Sequence, residues 1–404
     1  MSPYNSKFRI KDLYQFNRYK FCDSFVEDGH ILIVLKRTSK TGKCPVCEKR
    51  CNNIHKRRLR KIRDLDIVQS KVFIEFTQYD ICCSCGYDGV EELDFVESYS
   101  RYSKRFEEKV FILCTKMCIK DVAKEMRIGW EATKNIDKEY AKKYLVDLDK
   151  ISPKQIGVDE VAYEKGHKYI TVVRDVDLGK VIWTGKDRKK ETLNTFFSKL
   201  GIEKCQEIVS AVVDMWDPFI SSIQENTKAQ IIFDKFHIAK KINEALDKVR
   251  RNEFSKADSL ERKNMKHKRF LILSRRKNLE LDKKEILAQL LEQNENLYTA
   301  YILKEQILDI FDETDCRTGI KRFEKWFENV FQSGLNQFDD VVKTIKNYFY
   351  GIINYFNNRL TNAQSEGFNN KINVIRRRAY GFRDLDYFML KIVQACGLNN
   401  QNIP

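Results

Sequence analysis

The sequence predicts a multidomain α/β protein: a mixed-sheet core with a helical insertion, preceded by a zinc-binding β module and a helix-turn-helix-like segment. Three observations predict it. Six of the 12 cysteines crowd between Cys44 and Cys85, among short alternating apolar runs such as HILIVLKR and KVFIEFTQYDI. Beyond about residue 100 the apolar spacing becomes helical. From about residue 154, β-branched runs alternate with helical stretches, the pattern of crossover connections in one sheet. Proline is scarce, at 5 residues, so boundaries rest on these pattern changes. They give residues 1–98 as the cysteine-bearing module, 99–150 as the helix-turn-helix-like segment and 151–250 as the first part of the core. Residues 251–350 form a charged helical insertion, and 351–404 the final part of the core.

The formal net charge is +16, which points to a polyanionic partner, most simply nucleic acid; a lysine-rich genomic bias is the plainer alternative. No run approaches the ~20 apolar residues of a membrane span. The N-terminal MSPYNSKFRIKD lacks the apolar region of a signal peptide. The expectation is a soluble cytoplasmic protein with no membrane partner. In such a chain, clustered cysteines bind metal more readily than they form disulfides.

Two C-x-x-C pairs, Cys44–Cys47 and Cys82–Cys85, can each put two thiolates on one turn, and together they make a tetrahedral site for structural Zn²⁺. The crowded Cys82-Cys83-Ser84-Cys85 leaves the ligand choice open, with Cys83, Cys51 and His55 as substitutes. The run HKRRLRKIR between the pairs offers Arg57, Arg58, Arg60, Lys61 and Arg63 to phosphates, or else forms a solvated charged loop.

Residues 104–147 read as a helix, a short helix, a turn at Ile128-Gly129 and a longer helix. Val110, Leu113 and Met117 mark the inward face of the first, and Val122, Ala123 and Met126 that of the second. WEATKNIDKEYAKKYL is then the recognition helix, with Trp130, Thr133, Lys134 and Asp137 facing a groove or phosphates. Any three-helix bundle can share this pattern.

The core reads as strand QIGVDEVAY, strand KYITVVRDV, strand GKVIWTG, helix, strand EIVSAVVD, helix, strand AQIIFD and helix. An Asp-Leu-Gly turn makes the first three strands a meander. That order is the plan of an RNase H-like fold, in which the first and fourth strands lie side by side and Asp159 meets Asp214. Neighbouring carboxylates repel, and a divalent cation resolves the repulsion. Strand alternation turns Glu160 to the opposite face and excludes it. Asp217 reads as a helix N-cap. Asp234 and His237 sit close by, His237 either orienting a phosphate or water or making a structural bond, and Trp216 either stacks on a base or, more simply, packs in the core. Glu366 lies on a helix where Asn362, Glu366, Asn370 and Asn373 form a polar stripe, and Phe368, Ile372 and Ile375 an apolar one. Two strand carboxylates and one from a helix suit two Mg²⁺ (or Mn²⁺) ions and phosphodiester chemistry. Lys371, Arg376, Arg377 and Arg378 would then contact DNA backbone.

At these motifs the sequence resembles a family. CPVC with a later C-x-x-C, HKRRLRKIRDL, IGVDEVA with HKYITVV, VVDMWDPF, FDKFHIAKKINEALDKVRR and TNAQSEGFNNKINVIRRRAYGFRD look like a transposase of the ISL-three-type bacterial insertion sequences, in the DDE superfamily. The resemblance covers nearly the whole chain. It implies that Asp159, Asp214 and Glu366 are the catalytic triad and that residues 251–350 are an insertion before the glutamate. It implies an enzyme that binds terminal inverted repeats and performs two-metal-ion cleavage and strand transfer on double-stranded DNA. It further implies a homodimer or higher assembly on DNA, associated with the bacterial nucleoid. The alternatives are an inactive sequence-specific repressor and a structure-selective nuclease or Holliday-junction resolvase of RNase H type.

Overall fold

The computed structural model describes residues 9–397 apart from 144, 165, 167, 359–362 and 380, and for residues 363–366 the backbone alone. These divide into two compact units, one before Leu145 and one from Leu145 onward.

In the first unit, strands β1 (Tyr19–Glu27), β2 (His30–Arg37), β5 (Ile54–Ile67), β6 (Ser70–Cys82) and β7 (Asp88–Val90) make one sheet, ordered β1-β2-β6-β5 with β7 on β6. Only β2 and β6 run parallel. A small ladder of β3 (Gly42–Lys43) and β4 (Arg50–Cys51) carries the first cysteine turn. Alternation along β6 buries Val72, Ile74 and Phe76 against Ile33, Leu35, Ile62 and Phe95. The basic run is no loop. It is the edge strand β5, whose pairing with β6 satisfies its backbone on one side. Glu91, fully buried, anchors the sheet by accepting Arg37 Nη1 at 2.6 Å and Arg18 Nη1 at 3.1 Å.

Three helices follow: α1 (Lys104–Lys116), α2 (Ile119–Glu125) and α3 (Trp130–Lys143). Ser103 Oγ caps α1 by accepting the Phe106 N–H. The reversal between α2 and α3 falls at Arg127, with φ +55°, just before the expected Ile128-Gly129.

The second unit holds a five-stranded sheet of β8 (Gln155–Glu164), β9 (Lys168–Asp175), β10 (Lys180–Lys186), β11 (Ser210–Val213) and β12 (Gln230–Phe233), ordered β10-β9-β8-β11-β12. The first three strands form the antiparallel meander; β11 pairs parallel with both β8 and β12. Helices α4 (Lys190–Leu200), α5 (Ile202–Gln206) and α6 (Asp217–Asn226) make the crossovers, and α7 (Lys235–Lys256) leaves β12. Ile156 and Val158 bury one face of β8 against Phe196, Phe219 and Ile238. Val161, Ile170 and Val172 bury the other against Ile372, Phe388 and Ile392 of α15 (Ala363–Arg378) and α16 (Leu385–Gly397).

The charged stretch after α7 forms helices α8 (Ser259–Met265), α9 (Arg269–Leu273), α10 (Leu281–Glu292), α11 (Glu295–Ile310), α12 (Cys316–Ser333) and α13 (Asp339–Asn347). Its apolar stripes join the core of the same unit through Tyr301, Phe323 and Trp326, whose Nε1 donates to Leu303 O at 2.9 Å. Helix α14 (Phe349–Asn358) returns the chain onto β12, where Gly351 lies flush against the Phe233 ring and Asn354 Nδ2 donates to Ile231 O. No helix among the described residues is long and apolar enough to cross a membrane.

Candidate active site

The parallel pairing of β8, β11 and β12 fixes the site. Register aligns Val158, Val213 and Phe233 across the three strands, so the next residues, Asp159, Asp214 and Asp234, emerge together at the strand ends. One ligand oxygen each from Asp159, Glu160 and Asp214 lies within 4.8 Å of the others. The same spacing holds for an oxygen each of Asp214 and Asp234 and a ring nitrogen of His237. Asp234 also caps α7, accepting the Phe236 N–H at 3.0 Å. His237, one turn into α7, places Nε2 2.8 Å from Asp214 Oδ1, and this pairing raises its pKa. Asn369 of α15 donates Nδ2 to Asp159 Oδ2 at 2.9 Å.

The electrostatics are those of a site short of positive charge. Burial, then the charge of Asp214, pushes the Asp159 carboxyl up to about 6. Burial likewise raises Asp234, and burial followed by Asp214 raises Glu160. Behind the carboxylates lies Arg174 of β9, 2% exposed, with no hydrogen-bond partner for any of its three guanidinium nitrogens among the described residues. Clustered hard oxygens whose ionisation is held back by their neighbours fit a divalent cation.

Several sequence expectations are corrected here. Glu160 belongs to the cluster: β11 pairs with β8 only as far as Val158, which leaves that edge of β8 open at Asp159 and Glu160. Asp217 is not an N-cap. Trp216 holds that position, and Asp217 Oδ1 accepts the Tyr348 hydroxyl at 2.8 Å. Glu366 lies on α15, but its side chain falls outside the described residues, as does Asn362. On that helix Asn369, which the polar stripe read from the sequence did not include, reaches Asp159. Lys371 Nζ donates to Ala395 O and Arg376 Nη1 to Ala162 O at 2.7 Å, so both tie α15 down, whereas Arg377 and Arg378 are exposed.

In the first unit, the clustered thiols are Cys44, Cys47, Cys83 and Cys85, with Cys47–Cys83 at 3.5 Å and Cys44–Cys85 at 3.7 Å between sulfurs. Those separations are far above a disulfide and match the edge of a tetrahedron with ~2.3 Å metal–sulfur bonds, about 3.8 Å. Cys82 is therefore replaced by Cys83. Alternation buries Ile81 and Cys83 on one side and exposes Cys82 on the other, beside His55 and Asp88. The backbone N–H of Cys85, followed by the Cys51 thiol, draws the Cys83 thiol down to about 6. Cys51 is buried beside the four, and His55 lies apart from them.

Among the expected DNA contacts, Arg57, Arg58 and Lys61 are exposed on β5, although Arg58 pairs with Asp80 and Lys61 with Glu27. Arg60 is half-buried and bonds Gln78 Oε1 at 2.5 Å. Arg63 is buried, donating to Asp64 O and Val72 O, so it faces the fold rather than a partner. Thr133 and Asp137 are fully buried; Thr133 Oγ1 donates to Gly129 O. They lie on the packed face of α3, while Trp130 is half-exposed, with Lys134 near its ring.

Comparison with known proteins agrees with this arrangement. Residues 156–392 match a family model described as a transposase of the ISL3 DDE type. Residues 91–141 match the helix-turn-helix domain of transposase family ISL3. The chain is 32% identical over 365 residues to the transposase for insertion sequence element IS1001 of Bordetella parapertussis, covering 89% of this chain and 90% of that one. It is 25% identical over 350 residues to the transposase for insertion sequence element IS1557 of Mycobacterium tuberculosis, covering 80% and 79%. A mixed α/β chain with clustered acidic strand ends and an N-terminal helix-turn-helix is thus a DNA-binding DDE transposase. It belongs to transposase family ISL3.

Proposed function

We propose that this transposase cleaves and joins DNA at the ends of an insertion sequence, using an RNase H-like core in which Asp159, Asp214 and Glu366 hold divalent cations. The observation that carries the reading is the convergence of Asp159 and Asp214 at the ends of two adjacent parallel strands, with Asn369 of α15 bonded to Asp159. Glu366 lies three residues before Asn369 on the same helix, hence on the same face. Mg²⁺ or Mn²⁺ bound there would supply Lewis-acid activation of the attacking oxygen and stabilise the leaving one. The chain's own groups do the positioning. Asn369 fixes the Asp159 carboxylate, and His237 positions that of Asp214 through the 2.8 Å pairing that raises its own pKa.

The four thiols of Cys44, Cys47, Cys83 and Cys85 support a structural Zn²⁺ holding the two cysteine turns together. The exposed basic side of β5 and the α2–α3 pair would bind the terminal repeats, with residues 1–98 and 99–150 as the DNA-reading segments. Joining two ends calls for at least two protomers on DNA.

The test is strand transfer by Asp159→Asn, Asp214→Asn and Glu366→Gln on a duplex carrying the element's end. Each should lose about three orders of magnitude or more of activity while end binding stays within about twofold. Strand transfer at the parent rate by any one of them removes that residue from the triad.

A further inference from the structure

Beside the acidic cluster lies a cavity of about 580 Å³ that the reaction scheme leaves unused. Its walls come from three elements: Tyr169 of β9, Arg188 to Lys190 at the start of α4, and Trp216 with Pro218 at the start of α6. Arg188 is the keystone. Its guanidinium lies 4.0 Å from the Tyr169 ring centroid and 4.3 Å from that of Trp216, while its backbone oxygen accepts the Trp216 Nε1–H at 3.1 Å. Arg188 Nη1 also sits 3.2 Å from Glu160 Oε1, and Glu160 belongs to the acidic cluster. The cavity therefore abuts the place where a scissile phosphate would sit.

Its size lies within the ~300–1,000 Å³ of small-molecule pockets, large enough for one nucleotide and far too small for a duplex. Its charge selects further. Arg188, Lys189 and Lys190 are matched by three carboxylates in the lining, and Lys190 is already paired with Glu225. A neutral wall has little hold on a bare phosphate chain, whereas fixed rings and a stacked guanidinium offer much to a base. Lys189, exposed and without an ion pair among the described residues, remains for the phosphate beside that base.

We propose that this cavity receives one unpaired nucleotide of the DNA strand next to the cleavage position, held by contact with the Tyr169–Arg188–Trp216 stack. This rests on the DNA-cleaving role proposed for the acidic cluster. A paired base cannot enter, so the DNA must be frayed or the nucleotide turned out of the helix there.

The test uses the full-length protein and a short oligodeoxythymidine strand carrying a photoreactive iododeoxyuridine. The expected cross-link maps to Trp216 or Tyr169, and Lys189→Glu and Arg188→Ala each weaken single-strand affinity by about tenfold, with duplex affinity unchanged. Cross-links confined to other regions, with both variants binding as the parent does, overturn the pocket. Cleavage of end duplex that persists in that case leaves the catalytic reading standing. Loss of Mg²⁺-dependent cleavage in the parent protein, with the cross-link still at Trp216, would sink the catalytic reading and keep the pocket.

Discussion

Arg174 lies across Gly157. The two are register partners on β9 and β8, and a Cβ on the glycine would come within 2.9 Å of the guanidinium Cζ. The missing side chain lets an arginine run flat over the sheet to stand behind Asp159, Asp214 and Asp234. Its burial favours the neutral form and the three aspartates oppose that.

Gly157→Ala should therefore destabilise the second unit by ~1–3 kcal/mol, because β8 is paired on both sides and cannot back away. Arg174→Met should relieve that crowding in the double variant, and chemical denaturation would measure both. The same Arg174→Met change should move the proton affinity of Asp159 further upward, since one cation facing it is gone. If Gly157→Ala is neutral alone, the close approach is not a constraint.

The zinc assignment separates two adjacent cysteines. Cys83→Ser should abolish stoichiometric zinc and unfold the first unit, while Cys82→Ser should keep one zinc per chain and the parent melting temperature. Metal analysis of the purified variants decides it. Zinc retained by Cys83→Ser and lost from Cys82→Ser would reverse the assignment.

Much of this was legible in the sequence because local pattern dictated it. β-Branched runs gave β8, β9, β11 and β12, and Asp159 and Asp214 stood at their ends in plain view. What pattern could not show was the third dimension. Glu160 joins the cluster because a neighbouring strand stops short. Cys83 displaces Cys82 because β6 continues one residue further into the knuckle. Arg63, Thr133 and Asp137 look like surface groups by type, yet tertiary packing buries them. One faint signal was available for Arg174: an arginine inside the apolar run ITVVRDV has to go somewhere, and a glycine in the adjacent strand gives it room.

The site should respond to pH through Asp159. Its folded-state pKa of about 6 is above the ordinary 3.8, so the native protein holds this proton between those values while the unfolded chain has lost it. For the metal-free protein, the contribution of Asp159 to stability thus falls as pH rises from about 4 to about 6, then levels. Cation binding runs the other way, since only the ionised carboxylate ligates. Calorimetric Mn²⁺ titration should show affinity dropping by about tenfold per pH unit below 6. In Asp159→Asn this dependence should shrink to what Glu160 and Asp234, whose carboxyls burial also raises, contribute. A flat affinity between pH 5 and 7 in the parent protein would place the titrating group elsewhere.

The basic strand β5 offers a last discrimination, between arginines that hold the fold and arginines free to meet DNA. Arg63 is buried, donates to Asp64 O at 2.8 Å and to Val72 O at 3.2 Å, and pairs with Asp66, which Arg127 also holds, so truncation takes a donor from two carbonyls and one of two cations from Asp66. Arg63→Ala should cost ~1–3 kcal/mol of stability. Arg57 and Lys56 are exposed on the same strand; among the described residues Arg57 has only a distant approach to the Tyr79 ring, at 5.7 Å. Their alanine variants should melt within ~0.5 kcal/mol of the parent. Each should also reduce the steepness of the logarithmic salt dependence of duplex binding by about 0.9, the share of one phosphate contact. A salt slope that does not change in either variant would mean that β5 is charged only to keep an edge strand from pairing with another chain, and that duplex binding lies elsewhere.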